Sequence, residues 1–322
     1  AAQAFMRRRI LARPLTRILP RAGGPPLTAM LVAAALGMPV LVVGGSVAIP
    51  GTAETWRHLL ATVLPEYAAT TVRLCLEVAV GVAVLGAATA WLTAAHDFPG
   101  RQILEWALIL PLAMPAYVLS YAYTDLLQPA GTVQIWLRAR FGVRYGDYWF
   151  PEIRSVEGAA ALFTLAFYPY VYLLARSAFL ERAPRLQEAA RSLGLDAWAA
   201  FFRISLPLAR PALASGVALA LMETLADFGA VSYFAVHTFT VGIYRTWYSL
   251  GDRAAAAQLA AVLLGFVVLV LSLERVFRGR ARYVSAGGRG CLCPKRRLTG
   301  IKAAAACLAC LVCPSPPPSC AP

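Results

Sequence analysis

Six long apolar stretches restrict what this chain can fold into more than any other feature of it. They run from Leu27 to Ile49, Ala68 to Ala95, Ile103 to Leu127, Val156 to Leu180, Ala212 to Val236 and Ala254 to Leu273. Each can cross a hydrocarbon core about 30 Å thick, which takes roughly 20 residues of helix at about 1.5 Å per residue. Lipid supplies no hydrogen bonds, so every backbone N–H and C=O of a span must pair within it, as a helix allows. Composition agrees: 59% of the 322 residues are hydrophobic and 14% charged, with mean hydropathy +0.63. A water-soluble domain made of this chain would lack the polar surface to cover itself. The predicted fold class is therefore all-α, a polytopic membrane protein with a six-helix transmembrane bundle.

The formal net charge is +14. In a soluble protein that excess would point to nucleic acid. Here it falls between the spans, where it reports topology and implies no nucleic-acid partner. The N-terminal segment and residues 96–102, 181–211 and 274–302 carry 21 Lys and Arg, against 7 in residues 50–67, 128–155 and 237–253. The positive-inside rule then predicts a cytoplasmic N-terminus and a cytoplasmic 181–211 loop. The arginines from Arg7 to Arg21 imitate the start of a signal peptide, but the apolar run that follows exceeds the roughly 7–15 residues of such a segment, so it reads as an uncleaved span.

The 181–211 loop is patterned as two short helices. Pro184 suits a first helical position and Gly194 the residue just past a helix end; Asp196 can cap a second helix that Pro207 terminates. This predicts a cytoplasmic helix-turn-helix. Leu186, Ala190 and Leu193 fall on one face of the first helix, and Trp198, Phe201 and Phe202 on one face of the second. Such faces dock into a partner's groove or fold back on the spans.

Within the spans, small residues at four-residue spacing, Ala212, Gly216 and Ala220 in the fifth and Ala79, Ala83 and Ala87 in the second, predict close helix packing. Ionisable residues there are costly and mark function or internal pairing. Glu223 and Asp227 stand four apart, which places them on one face of one helix, where hard oxygen ligands could line a cation path or relay protons. Arg73 and Glu77 have the same spacing and can satisfy each other. Tyr117 and Tyr121 in the third span are predicted to face the cavity or to pack in the bundle. Residues 133–141 of the 128–155 loop read as an amphipathic segment at the outer interface, with Trp136 as an anchor.

Enzyme readings find no support. A phosphate-cradling loop needs Lys after Gly, but Lys295 follows Pro294 and Lys302 follows Ile301. With only His58, His96 and His237 there is no HExxH, and no GxGxxG occurs either. No catalytic residue, metal site or cofactor is expected. Composition shifts near Ala286. Six of the seven cysteines, Cys291, Cys293, Cys307, Cys310, Cys313 and Cys320, lie in the last 32 residues. The spacing of Cys307, Cys310 and Cys313 is a metal-like pattern, but the apolar run and the prolines at 314–318 favour an altered or truncated C-terminus.

Glu188-Ala189-Ala190, three residues, Gly194, nine residues and Ile204-Ser205-Leu206-Pro207 resemble the EAA loop of permease subunits of binding-protein-dependent ABC importers. METLADFG (222–229), the segments 231–234, 237–248 and 251–260, and PLAMPAYV (111–118) are similar to the ferric-iron members of that group. The resemblance implies a bacterial inner-membrane permease without ATPase activity of its own. It implies three partners besides membrane lipid: an ATP-hydrolysing subunit on the cytoplasmic face, an external substrate-binding protein and a second permease half. The coupling residues would be Glu188, Ala189, Ala190, Gly194, Ile204, Leu206 and Pro207, and the path residues Glu223, Asp227, Tyr117 and Tyr121. Permeases of the ferric type carry two homologous halves, whereas this chain has one such loop and six spans. The expected division is a basic segment at 1–26, a transmembrane domain at 27–282 and an atypical tail at 283–322. The competing reading is a gradient-driven transporter or channel that uses Glu223 and Asp227, to which the EAA-type loop would be of no use.

Overall fold

The computed structural model describes residues 27–144, 146–192, 196–278, 296–297 and 305, without side-chain detail at 181–192, 197 and 296–297. The tail cysteines and the basic N-terminal segment lie outside the described residues. Contacts divide the chain at Gly45 into two units. The first contains α1 (Leu27–Gly45), a 19-residue apolar helix with Pro39 inside it.

The second unit opens with α2 (Ala53–Thr62) and α3 (Leu64–Ala95), the latter begun by a proline in its first turn, where a missing N–H costs nothing. Then come α4 (Arg101–Ala107), α5 (Ala116–Leu127) and α6 (Thr132–Phe141). The long α7 (Val156–Ser192) is followed by the short α8 (Ala197–Ala200), a π-helical turn at Phe201–Ser205, and α9 (Leu206–Ala226). Two short helices, α10 (Gly229–Tyr233) and α11 (Phe239–Tyr248), lead to α12 (Arg253–Arg278). A two-residue parallel ladder pairs β1 (His96–Asp97) with β2 (Arg296–Arg297). Among the described residues, five helices are long and apolar enough to cross a membrane, and a sixth crossing is a pair of helices bent by 102°.

The core is the junction of α3, α7 and α9. Leu74, Val78, Val82 and Ala90 of α3 are buried against Ala159, Phe163, Val171 and Ala175 of α7. Val171 sits between two glycines. A Cβ on Gly86 would lie 2.6 Å from the Val171 Cβ, and one on Gly216 would lie 2.7 Å from the Val171 Cα. The fifth-span stripe is thus partly as expected, with Gly216 and Ala220 buried and Ala212 half-buried. In the second span Ala79 and Ala83 are only half-buried. The packing face there is displaced by one residue, to the line of Val78, Val82 and Gly86.

Three expectations are corrected. The third span is not one helix, because Pro111 stands within a 3-10 turn at Leu110–Ala113, Pro115 follows just beyond it, and a proline cannot continue the helical ladder. The 181–211 loop is not a helix-turn-helix starting at Pro184: α7 continues without a break to Ser192, since Glu, Arg, Leu, Gln and Ala around Pro184 are strong helix formers. Pro207 does not end a helix either. It stands in the first turn of α9, and the wide π turn before it makes room where its ring would meet the carbonyl of Arg203. Asp196 does start the second helix, its carbonyl accepting from Ala200 N–H at 2.8 Å.

Candidate functional site

Two broken spans meet at one cavity. The first break is Pro111–Pro115. The second follows Ala226, where Asp227 turns extended (φ −71°, ψ 131°) while its N–H still bonds to the Glu223 carbonyl at 3.0 Å. The cavity, of about 460 Å³, is lined among others by Met114, Pro115, Tyr170, Glu223, Asp227 and Phe228. None of its lining residues is Lys, Arg or His.

Glu223 and Asp227 therefore share a site, with Asp227 at the C-cap of α9 one turn beyond Glu223. Asp227 closes the helix, and its carboxylate serves the next element: Oδ1 accepts from Ala230 N–H at 2.8 Å and Val231 N–H at 3.3 Å, capping α10. Its carbonyl accepts from the Thr240 hydroxyl at 2.8 Å, and that hydroxyl also lies 2.8 Å from Thr238 Oγ1. Glu223 remains on α9 and is exposed. Phe228 stacks on Tyr244, with centroids 4.7 Å apart.

Tyr117 and Tyr121 do not line this cavity. Both are exposed on α5, and Tyr121 stacks on Tyr233 of α10 at 4.3 Å. That ring in turn has the Arg154 guanidinium 5.0 Å from its centroid. Sequence reasoning did not select Tyr170, Met114 or Thr240. The signal for Met114 was its position between two prolines, and for Thr240 a Thr-x-Thr pattern just beyond the second break.

Of the coupling residues, Glu188, Ala189 and Ala190 lie in the last turns of α7, outside the residues with described side chains, and Gly194 lies outside the described residues altogether. Ile204, Leu206 and Pro207 are half-buried. The aromatic face beside them divides. Phe201 is buried against Trp91, with centroids 4.8 Å apart, and faces Phe179 at 6.3 Å. Trp198 and Phe202 stay exposed. Arg73 pairs with Glu77 at 2.8 Å, as its spacing predicts, and also reaches Glu157.

A family model described as binding-protein-dependent transport system inner membrane component matches residues 82–283. The chain belongs to that family. The permease is 30% identical to the Fe(3+)-transport system permease protein FbpB 2 of Haemophilus influenzae, over 225 residues that make up 70% of this chain and 40% of that protein. It is 31% identical to the molybdenum transport system permease protein ModB of Escherichia coli K12, over 60% of this chain and 85% of that one. It is 30% identical to the sulfate transport system permease protein CysT of the same strain, over 58% and 67%. The permease thus spans less than half of the ferric relative and most of the molybdenum one. A solved bacterial ABC transporter that imports alginate shares its fold, with TM-score 0.59, 16% identity and coverage of 86% and 99%. A bacterial alginate ABC transporter solved in complex with an alginate pentasaccharide-bound periplasmic protein shares the fold as well, at TM-score 0.57 and 16% identity, with coverage of 82% and 96%. The chain is accordingly an all-α, multi-pass transport permease and not itself an enzyme.

Proposed function

We propose that this permease is one transmembrane half of an ATP-driven importer whose cargo is ferric iron. An external binding protein delivers the cargo, and a cytoplasmic ATP-hydrolysing subunit acts through 181–211, with Glu188 and Gly194 at the contact. The observation that carries the reading is the pair of carboxylates, Glu223 and Asp227, in a cavity between two broken spans. The relatives carry names for ferric, sulfate and molybdenum transport, so the cavity's charge discriminates among them. An oxyanion such as sulfate or molybdate would meet two carboxylates and no basic lining residue. A hard cation would meet hard oxygen donors together with the negative end of α9.

Glu223 also argues for the second half. A charge facing lipid from a span costs about 2.5–3.5 kcal/mol, so a second transmembrane half, from another copy, another chain or a longer polypeptide, covers that face and closes the path. Tyr117 and Tyr121 then stand at its edge, on the external side of the breaks.

The test is iron uptake and ATP hydrolysis in proteoliposomes that contain the permease, its ATPase and its binding protein. Glu223→Gln should lower iron uptake by about tenfold while the complex stays assembled. Gly194→Pro should release the ATPase from the complex. Uptake of sulfate or molybdate in place of iron refutes the cargo, and iron uptake that follows an ion gradient without ATP refutes the coupling.

A further inference from the structure

The helix that carries Glu188 is also the helix against which the broken third span is fastened. α7 is unbroken over 37 residues, or about 55 Å at 1.5 Å per residue. Three polar tethers leave it toward α4 and the segment beyond. The Tyr168 hydroxyl donates to the Leu108 carbonyl at 2.7 Å, and the Tyr172 hydroxyl donates to the Glu105 carbonyl at 3.4 Å. Arg176 Nη2 pairs with Glu105 Oε2 at 2.8 Å. Tyr168, Tyr172 and Arg176 stand at i, i+4 and i+8, so they form one line along one face of the helix. On the receiving side, Glu105 is also held by Arg101 Nη2 at 2.6 Å within α4, and Arg101 lies 3.8 Å from Asp97. The Glu105 and Arg176 side chains are only 20% and 26% exposed, so the pair is screened far less than a surface bridge.

The tethers serve a physical need. α4 ends at Ala107, and a helix end leaves carbonyls without partners, which lipid cannot supply. The tyrosines satisfy two of them from α7. As a result, the short segment from Arg101 to Leu108 is bonded to α7 and leads straight into the Pro111–Pro115 break that lines the Glu223 and Asp227 cavity. One end of α7 continues into the 181–192 segment.

We propose that the Tyr168–Tyr172–Arg176 face is a rail that makes the broken span move with α7, with Glu105 and Arg176 as its positioning residues. A displacement at the cytoplasmic end then arrives at the cavity as a shift of the break, and not as a rotation of α7 past it. This rests on the coupling reading above, and one of its two measurements does not. In the reconstituted complex, Arg176→Met removes the tether's charge at similar length. The expected result is basal ATP hydrolysis close to that of the intact complex, with stimulation by loaded binding protein reduced about tenfold. Arg176→Lys, which keeps the charge, should restore the stimulation, a recovery that a merely structural contact would not require. Independently of ATP, amide hydrogen exchange of residues 101–113 in the full-length permease in nanodiscs should rise about tenfold in Arg176→Met, with 206–226 unchanged. Unchanged exchange, or full stimulation in Arg176→Met, overturns the rail. Absence of stimulation in the intact complex overturns the coupling reading instead, and the exchange result still decides whether the tie exists.

Discussion

Gly216→Ala is the most severe test of how the three core helices meet. The added methyl would stand 2.7 Å from the Val171 Cα and 3.1 Å from both the Val171 N and Cγ2. Carbon atoms pack at about 3.5–4.0 Å, so α7 and α9 must separate by roughly 1 Å at this crossing. Two of the three atoms in the way are backbone, so no rotamer change relieves the clash. Nor can α7 retreat, because Gly86 of α3 closes on Val171 from the other side. Overpacking of a filled core costs about 1–3 kcal/mol, and a backbone obstacle puts this site at the upper end, ~2–3 kcal/mol, or roughly 30- to 150-fold in the unfolding constant. The matched control is Gly265→Ala in α12, where nothing lies within 4 Å and helix propensity favours Ala by about 0.8–1 kcal/mol. Denaturant unfolding of the purified permease in detergent, followed by circular dichroism, should show opposite shifts for the two substitutions. Val171→Ala should fail to rescue Gly216→Ala, since the nearest obstacle is the Cα. Equal stability of Gly216→Ala and the parent would refute the close crossing of α7 and α9.

Two further substitutions probe the opposite end of the second unit. Gln258 is 4% exposed, donates to the Ser46 and Ile49 carbonyls at 3.1 and 3.2 Å, and accepts from the Trp56 indole; Gln258→Leu should cost about 2–4 kcal/mol by stranding these groups, measured by the same unfolding assay. Asp252 caps α12 by accepting from Ala255 N–H at 2.9 Å and from the Thr55 hydroxyl at 2.8 Å, and these bonds hold its carboxyl below the ordinary range. Because the folded value is the lower one, the cap's stabilisation is present above about pH 4 and is lost as pH falls through the folded value. Asp252→Ala should therefore cost about 1 kcal/mol near neutrality and nothing in strong acid; a difference that persists in acid would refute the carboxylate as its source.

The long helices α3 and α12, and α7 as far as Leu180, were legible from apolar length alone, because lipid leaves a span few other options. The breaks were less legible, since apolar length does not register them. Pro111 and Pro115 signalled the first, but the surrounding run stays apolar to Leu127, and a count of hydropathy passes over it. At the second, Asp227 and Gly229 are helix-ending signals inside a run that stays apolar to Val236. Spacing placed Glu223 and Asp227 together, four apart at the end of α9. The break starts only at Asp227, whose ψ turns extended. Prolines were misread in the other direction. Pro184 and Pro207 read as boundaries, yet strong helix formers carry α7 past the one and a π turn admits the other. The Glu105–Arg176 contact was not predictable, because its partners belong to different spans 71 positions apart in the chain.

A break in a span is tolerated only if its freed carbonyls find donors, and in this permease the donors come from far along the chain. Tyr168 and Tyr172 serve the region of the first break from α7, and Thr240 serves the second from the start of α11. Neither break is then a local accident of proline or glycine, because each is held by hydroxyls from elsewhere in the chain. Both breaks open onto the same carboxylate-lined cavity, so the cavity's shape depends on α7 and α11 at once. Under the proposed function, a cargo that drew Glu223 and Asp227 toward itself would pull on the segments that these tethers hold. Under the same proposal, movement of α7 would work this linkage in reverse, the reciprocity between cargo and driving subunit that a path opening toward one side at a time needs.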